Sequence, residues 1–100
     1  MDNHHEHRVR AAVARAICFA CGENPEHSGD ARGNALRWQD YECVAQAVLV
    51  ELQAAESGDP GRSAISHLAN VIAQSCEDGP YLAWKYERAA GDALRAYAVR

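Results

Sequence analysis

Residues 35–56 read ALRWQDYECVAQAVLVELQAAE, and their periodicity decides the fold class. Trp38, Tyr41, Ala45, Val48, Leu49, Leu52 and Ala55 recur mostly at steps of three and four, the spacing that lines one face of a helix. Glu42, Gln46 and Gln53 fall on the wetted side. Asn34 is placed to cap the first turn. The spacing therefore predicts the longest helix over 35–56.

Upstream, Val9, Val13, Ala16, Ile17 and Ala20 make a second stripe, predicting a helix over 8–21. Gly22 supplies a position that tolerates left-handed backbone, and Asn24-Pro25 ends the helical run, since the residue before proline avoids the α region. A polar loop follows to Asn34. Downstream, Asp59-Pro60 opens a helix over 61–76 with Ile65, Leu68, Ala69, Ile72 and Cys76 inward. After EDGP a fourth helix is expected over 81–99, with Leu82, Tyr86, Ala89, Ala90, Ala93 and Tyr97 on its inner face. No stretch alternates with period two over strand length. The expectation is an all-α chain: one domain over 1–100, a compact bundle of about four helices, with 1–7 as a flexible N-terminus. Trp38-x-x-Tyr41 has the look of a tetratricopeptide opening, but no second copy follows at that period, and no internal repeat is evident.

Twenty of the 100 residues are alanine, so the core is built from small side chains. The net charge is -4, and the arginines are scattered. A direct grip on nucleic acid normally needs a basic patch or stripe, so a protein partner is favoured over a nucleic acid. No run is long and apolar enough for a membrane span, and MDNHHEHRVR lacks the apolar core of a secretory signal. Residence in the cytoplasm of a bacterial cell is expected, where the four cysteines would be reduced.

CFACGENPEH, residues 18–27, is the stretch that most resembles chemistry. A redox pair wants its thiolate at a helix N-terminus, and Cys18-x-x-Cys21 falls at the other end. Cys18, Cys21 and His27 could give three zinc ligands in a small adaptor, but a second ligand pair is missing, because Cys43 and Cys76 are solitary. The simpler reading packs all four cysteines as small hydrophobes and requires no cofactor. His67 has no nucleophile or acid arranged around it in sequence, and Ser63 and Ser66 read as surface residues. Asp40 with Glu42 and Glu77 with Asp78 read as exposed or helix-end charges rather than an acid–base pair. SGDPG lacks the lysine and the strand of a phosphate loop. Catalysis is not expected.

Two surfaces stand out. Tyr81, Trp84 and Arg88 lie off the inner stripe of the last helix, and these residue types are enriched at interface hot spots. Asp40, Glu42, Glu51 and Glu56 are spread over the outer side of the 35–56 helix, where they would meet basic residues of a partner.

ARAICFACGENPE, a Gly-rich spacer and RWQDYECVAQAVLVEL together resemble short proteins of phages and prophages from high-GC bacteria. In size, helical reading and acidic balance the chain is most similar to anti-CRISPR proteins, in particular the small helical inhibitors of type I-F systems. That resemblance implies a non-enzymatic inhibitor that binds CRISPR-associated proteins of the surveillance complex and blocks target DNA binding or nuclease recruitment. A phage morphogenesis or regulatory protein is the alternative within the same population.

Overall fold

The computed structural model describes residues 3–29 and 33–99; Met1, Asp2, Arg100 and part of the predicted 22–34 loop lie outside them. Four α-helices are present: α1 (Asn3–Ala20), α2 (Glu42–Glu56), α3 (Ile65–Ser75) and α4 (Glu87–Ala98). The last three are each preceded by a short 3-10 helix, at Arg37–Tyr41, Pro60–Ser63 and Pro80–Tyr86. There is no strand among the described residues, and the chain is an all-α bundle. Its radius of gyration, 12.9 Å, is that of a compact chain of this length, flattened to 38 × 38 × 19 Å.

The helices share one core. Val13, Ile17, Cys18, Val48, Leu52, Leu68 and Ile72 are fully or almost fully removed from solvent, and alanines of α4 let it approach α1 closely. The predicted stripes hold with one exception. Ile65 opens α3 at the surface, 37% exposed, because the first residue of the helix has no turn of a neighbour above it. Two further expectations are corrected. Helix α1 begins at Asn3, so residues 3–7, expected to be flexible, continue the helix; nothing in that polar run breaks it, and Glu6 suits the positive end of the helix dipole. Cys43, expected to pack inside, is exposed.

Three of the helices stop in the same way. After α1, the Gly22 N–H donates to the Phe19 carbonyl and the Glu23 N–H to the Cys18 carbonyl. After α2 the matching bonds run from Gly58 to Ala55 and from Asp59 to Ala54, and after α3 from Glu77 to Gln74 and from Asp78 to Ala73. This paired pattern is the Schellman motif, which needs a left-handed residue at its pivot. The pivots are Gly22 (φ 87°), Gly58 (φ 127°) and Glu77 (φ 63°). Only glycine adopts that region without cost, so Glu77 holds stored strain. Glu77→Gly is expected to stabilise the fold by about 0.5–1 kcal/mol, and Gly22→Ala, which meets no atom but the wrong backbone, to destabilise it by about 1 kcal/mol. Chemical denaturation of the two variants against the parent checks both signs.

The shared caps reveal a repeat that the sequence hides. Cys21-Gly22-Glu23-Asn24-Pro25 corresponds to Cys76-Glu77-Asp78-Gly79-Pro80. Counting back from each cysteine, Val13, Ala14, Ile17 and Cys18 match Leu68, Ala69, Ile72 and Ala73, and all eight are buried. Counting forward, each half has a 3-10 helix ending in a tyrosine, then a helix that opens on glutamate. Tyr41 (φ -102°, ψ 6°) and Tyr86 (φ -107°, ψ 9°) share one backbone conformation. Val44, Ala45, Val48 and Leu52 of α2 match Ala89, Ala90, Ala93 and Tyr97 of α4, again all buried. The two helix pairs, α1–α2 and α3–α4, thus share an order of buried positions and caps, although α1 spans 18 residues and α3 only 11. The connecting segment differs: Cys21 and Tyr41 are 20 positions apart, Cys76 and Tyr86 only 10.

Candidate functional site

The two helix ends meet. The C-terminal ends of α1 and α3 and the last residues of the 3-10 helices Arg37–Tyr41 and Pro80–Tyr86 enclose an open cavity of about 560 Å³ lined by Ala20, Cys21, Gly22, Tyr41, Cys76, Lys85 and Tyr86. Its neighbour, about 320 Å³, is lined by Glu23, Arg37, Asp40, Tyr41, Val44, Ser75, Cys76 and Glu77. Exchanging the halves maps Ala20, Cys21, Gly22, Lys85 and Tyr86 of the first cavity onto Ser75, Cys76, Glu77, Asp40 and Tyr41 of the second. These are counterpart sites with opposite charges at the same rim position, Lys85 against Asp40.

Each half carries the same polar triplet. The Tyr41 hydroxyl donates to Glu23 and the Tyr86 hydroxyl donates to Asp78. Cys21 and Cys76 line the same cavity as the two tyrosines. Burial, the nearby Cys76 and Cys18 and the Glu23 carboxylate push the Cys21 thiol up to about 11. Burial first, then Glu23, pushes Cys18 to about 11 as well. Cys76 is also raised, mainly by burial. Tyr41 is raised by burial and by its bond to Glu23, and Tyr86 by its bond to Asp78 and then by burial. The thiols are therefore protonated at neutral pH, which is the opposite of what nucleophilic or redox chemistry needs.

The zinc alternative is not assembled. Cys18 is fully buried, Cys21 lines the cavity and His27 is exposed in the connecting segment. No three metal-ligating side chains converge among the described residues.

The acidic face is also corrected. Glu51 is not a solvent charge: its carboxylate takes Arg62 Nε and Nη2 at 3.0 and 2.9 Å and His67 Nε2 at 2.6 Å. Its side chain is only 14% exposed. Asp40 accepts from Asn34 Nδ2 at 2.7 Å and faces Arg37 at 3.8 Å, and Glu42 pairs with Arg10 at 3.5 Å. Glu56 alone of the four stands exposed, in the last turn of α2. The scatter of these acids along the helix was readable in the sequence, but their partners arrive from α1, the connecting segment and α3.

Tyr81, Trp84 and Arg88 emerge as expected. Tyr81 is 79% exposed and Trp84 68%, and Arg88 reaches Asp92 at only 3.9 Å while Arg95 also holds that carboxylate. Two neighbours went unread. Phe19, 61% exposed, precedes Ala20 of the larger cavity, and Lys85, beside Trp84, lines it and enters no ion pair among the described residues. An apolar ring one step off the α1 stripe was the available signal for Phe19. The chain matches no protein-family model, no curated protein and no solved structure. Among the described residues, no helix is long and apolar enough to cross a membrane.

Proposed function

We propose that the protein is a non-catalytic inhibitor that binds a bacterial CRISPR surveillance complex, using the face around Tyr81, Trp84 and Arg88 to cover the partner's working surface. The observation that carries this reading is the exposure of Tyr81 and Trp84. Large aromatics left in water beside an arginine have the make-up of an interface hot spot. The internal pairing of Glu51, Asp40 and Glu42 supports this face over the acidic side of α2 as the surface of contact. The upward shift of the Cys18 and Cys21 thiols is in keeping with this reading, in which neither acts as a nucleophile.

The test is co-purification with a type I-F surveillance complex, followed by target-DNA binding in the presence of the protein. The expected result is a stable complex in which DNA binding or nuclease recruitment is blocked. Absence of association, with DNA binding and nuclease recruitment intact, refutes the proposal for that system.

A further inference from the structure

We propose that Gly79 is a positioning residue of the docking surface: the lack of a side chain there seats the Tyr81 ring in the orientation that meets the partner. This rests on the aromatic face being the docking surface and names what holds one of its anchors in place.

The turn that carries Gly79 is fixed from both sides. The Asp78 N–H donates to the Ala73 carbonyl at 2.8 Å, and the Asp78 carboxylate accepts from the Tyr86 hydroxyl. The Gly79 carbonyl accepts from the Leu82 N–H at 2.9 Å, closing the first turn of the 3-10 helix Pro80–Tyr86. Gly79 itself has φ -72° and ψ 159°, the extended conformation that residues before proline favour. The backbone therefore does not require glycine here, in contrast to Gly22 and Gly58. The ring does. A methyl group at Gly79 would lie 2.5 Å from Cε1 and 2.9 Å from Cδ1 of Tyr81, well inside the distance at which carbon atoms meet.

This seat restrains a side chain that is otherwise in water. Tyr81 is 79% exposed, and its contact with Gly79 limits the rotation of the ring. An anchor already held in its bound orientation loses less freedom on binding. Positions 81 and 84 stand one turn apart on the same edge of the 3-10 helix, where side chains eclipse. The Tyr81 ring leans to the N-terminal side, over Gly79, and Trp84 keeps 68% of its surface, so neither ring hides much of the other. The partner meets two separate anchors, and Gly79 sets the place of the first. A side chain at position 79 pushes the ring off its seat. Because the ring is an exposed end, it gives way and the fold does not.

Four variants of the full chain are compared with the parent: Gly79→Ala, Tyr81→Ala, the two combined, and Gly61→Ala as a control. A methyl group at Gly61 meets nothing nearer than Asp59 Oδ1 at 3.9 Å. In the free parent, NMR should show NOEs between the Gly79 α protons and the Tyr81 ring, and a ring-current shift of those protons that Tyr81→Ala abolishes. All variants should melt within roughly 5 °C of the parent. Binding to the surveillance complex should weaken about tenfold in Gly79→Ala and in Tyr81→Ala, no further in the combined variant, and not at all in Gly61→Ala. The inference is overturned if the Gly79 protons show no contact with the ring, if Gly79→Ala melts far below the parent, or if it binds as the parent does while Tyr81→Ala is weakened. Losses that multiply in the combined variant overturn it too, because Gly79 then acts apart from the ring. Each of these results leaves the docking face standing. Undiminished binding by both Tyr81→Ala and Trp84→Ala, or a parent that binds no surveillance complex, refutes the docking face and the role of Gly79 with it.

Discussion

Ile17→Ala is expected to destabilise the fold by about 3 kcal/mol and to lower the melting temperature by roughly 15 °C. The Ile17 side chain is fully buried, so truncation loses its transfer free energy and leaves a hole that neighbouring helices fill only in part. The sharper expectation concerns its counterpart. Ile72 occupies the same place in α3, four residues before the capping cysteine and equally buried, and Ile72→Ala should cost the same within about 1 kcal/mol. A chain of this size has about 5–15 kcal/mol in hand, so the two together should leave it largely unfolded at ambient temperature if it lies near the low end. Matching costs in chemical denaturation would support the equivalence of the halves in energy as well as in shape. A large loss at one isoleucine and almost none at the other would show that only one half carries the core.

Glu51→Gln is expected to cost about 1–3 kcal/mol at neutral pH, far more than a surface charge. Glu51 is the joint between α2, the 3-10 helix Pro60–Ser63 and α3, since one carboxylate holds both Arg62 and His67. Hydrogen bonds from Arg62 and then from His67 lower its pKa from 4.5 to about 2. The sign of the pH dependence follows from that depression. The contribution is complete above the unfolded value near 4.5 and fades as pH falls from there toward 2, where the carboxylate takes up its proton in the folded state as well. Stability of the parent should therefore drop more steeply between those limits than that of Glu51→Gln, so that the two curves converge in acid. Parallel curves would show that the joint contributes nothing specific.

The fold class and the four helical segments were legible because apolar residues recur at helical spacing and because Gly22, Pro25, Pro60 and Pro80 punctuate the chain. The 3-10 turns were not legible. Arg37–Tyr41 and Pro80–Tyr86 carry helical patterning, and a tighter turn differs from an α turn by one residue in the position of its hydrogen bond. The repeat escaped notice for a different reason. Burial and cap geometry are shared by the two halves, but the side chains that meet those demands differ, Val13 against Leu68 and Leu52 against Tyr97, and ten extra residues break the period. Of the candidate site, the exposed tyrosine, tryptophan and arginine could be read from their position off the inner stripe. Glu51 was misread because its partners lie 11 and 16 residues away, and such pairing is created only by folding. Lys85 was silent in the sequence. It acquires meaning only by comparison with Asp40, which its own chain neutralises.

The docking claim is most directly tested by the affinity of Trp84→Ala for the surveillance complex, measured beside the parent and a control variant, Val50→Ala, on the exposed side of α2. Trp84 carries little of the core, so all three proteins should melt within a few degrees of one another, at about 4–8 °C per kcal/mol lost. If the aromatic face is the docking surface, Trp84→Ala binds at least about tenfold more weakly and Val50→Ala binds as the parent does. Undiminished binding by a folded Trp84→Ala would contradict it.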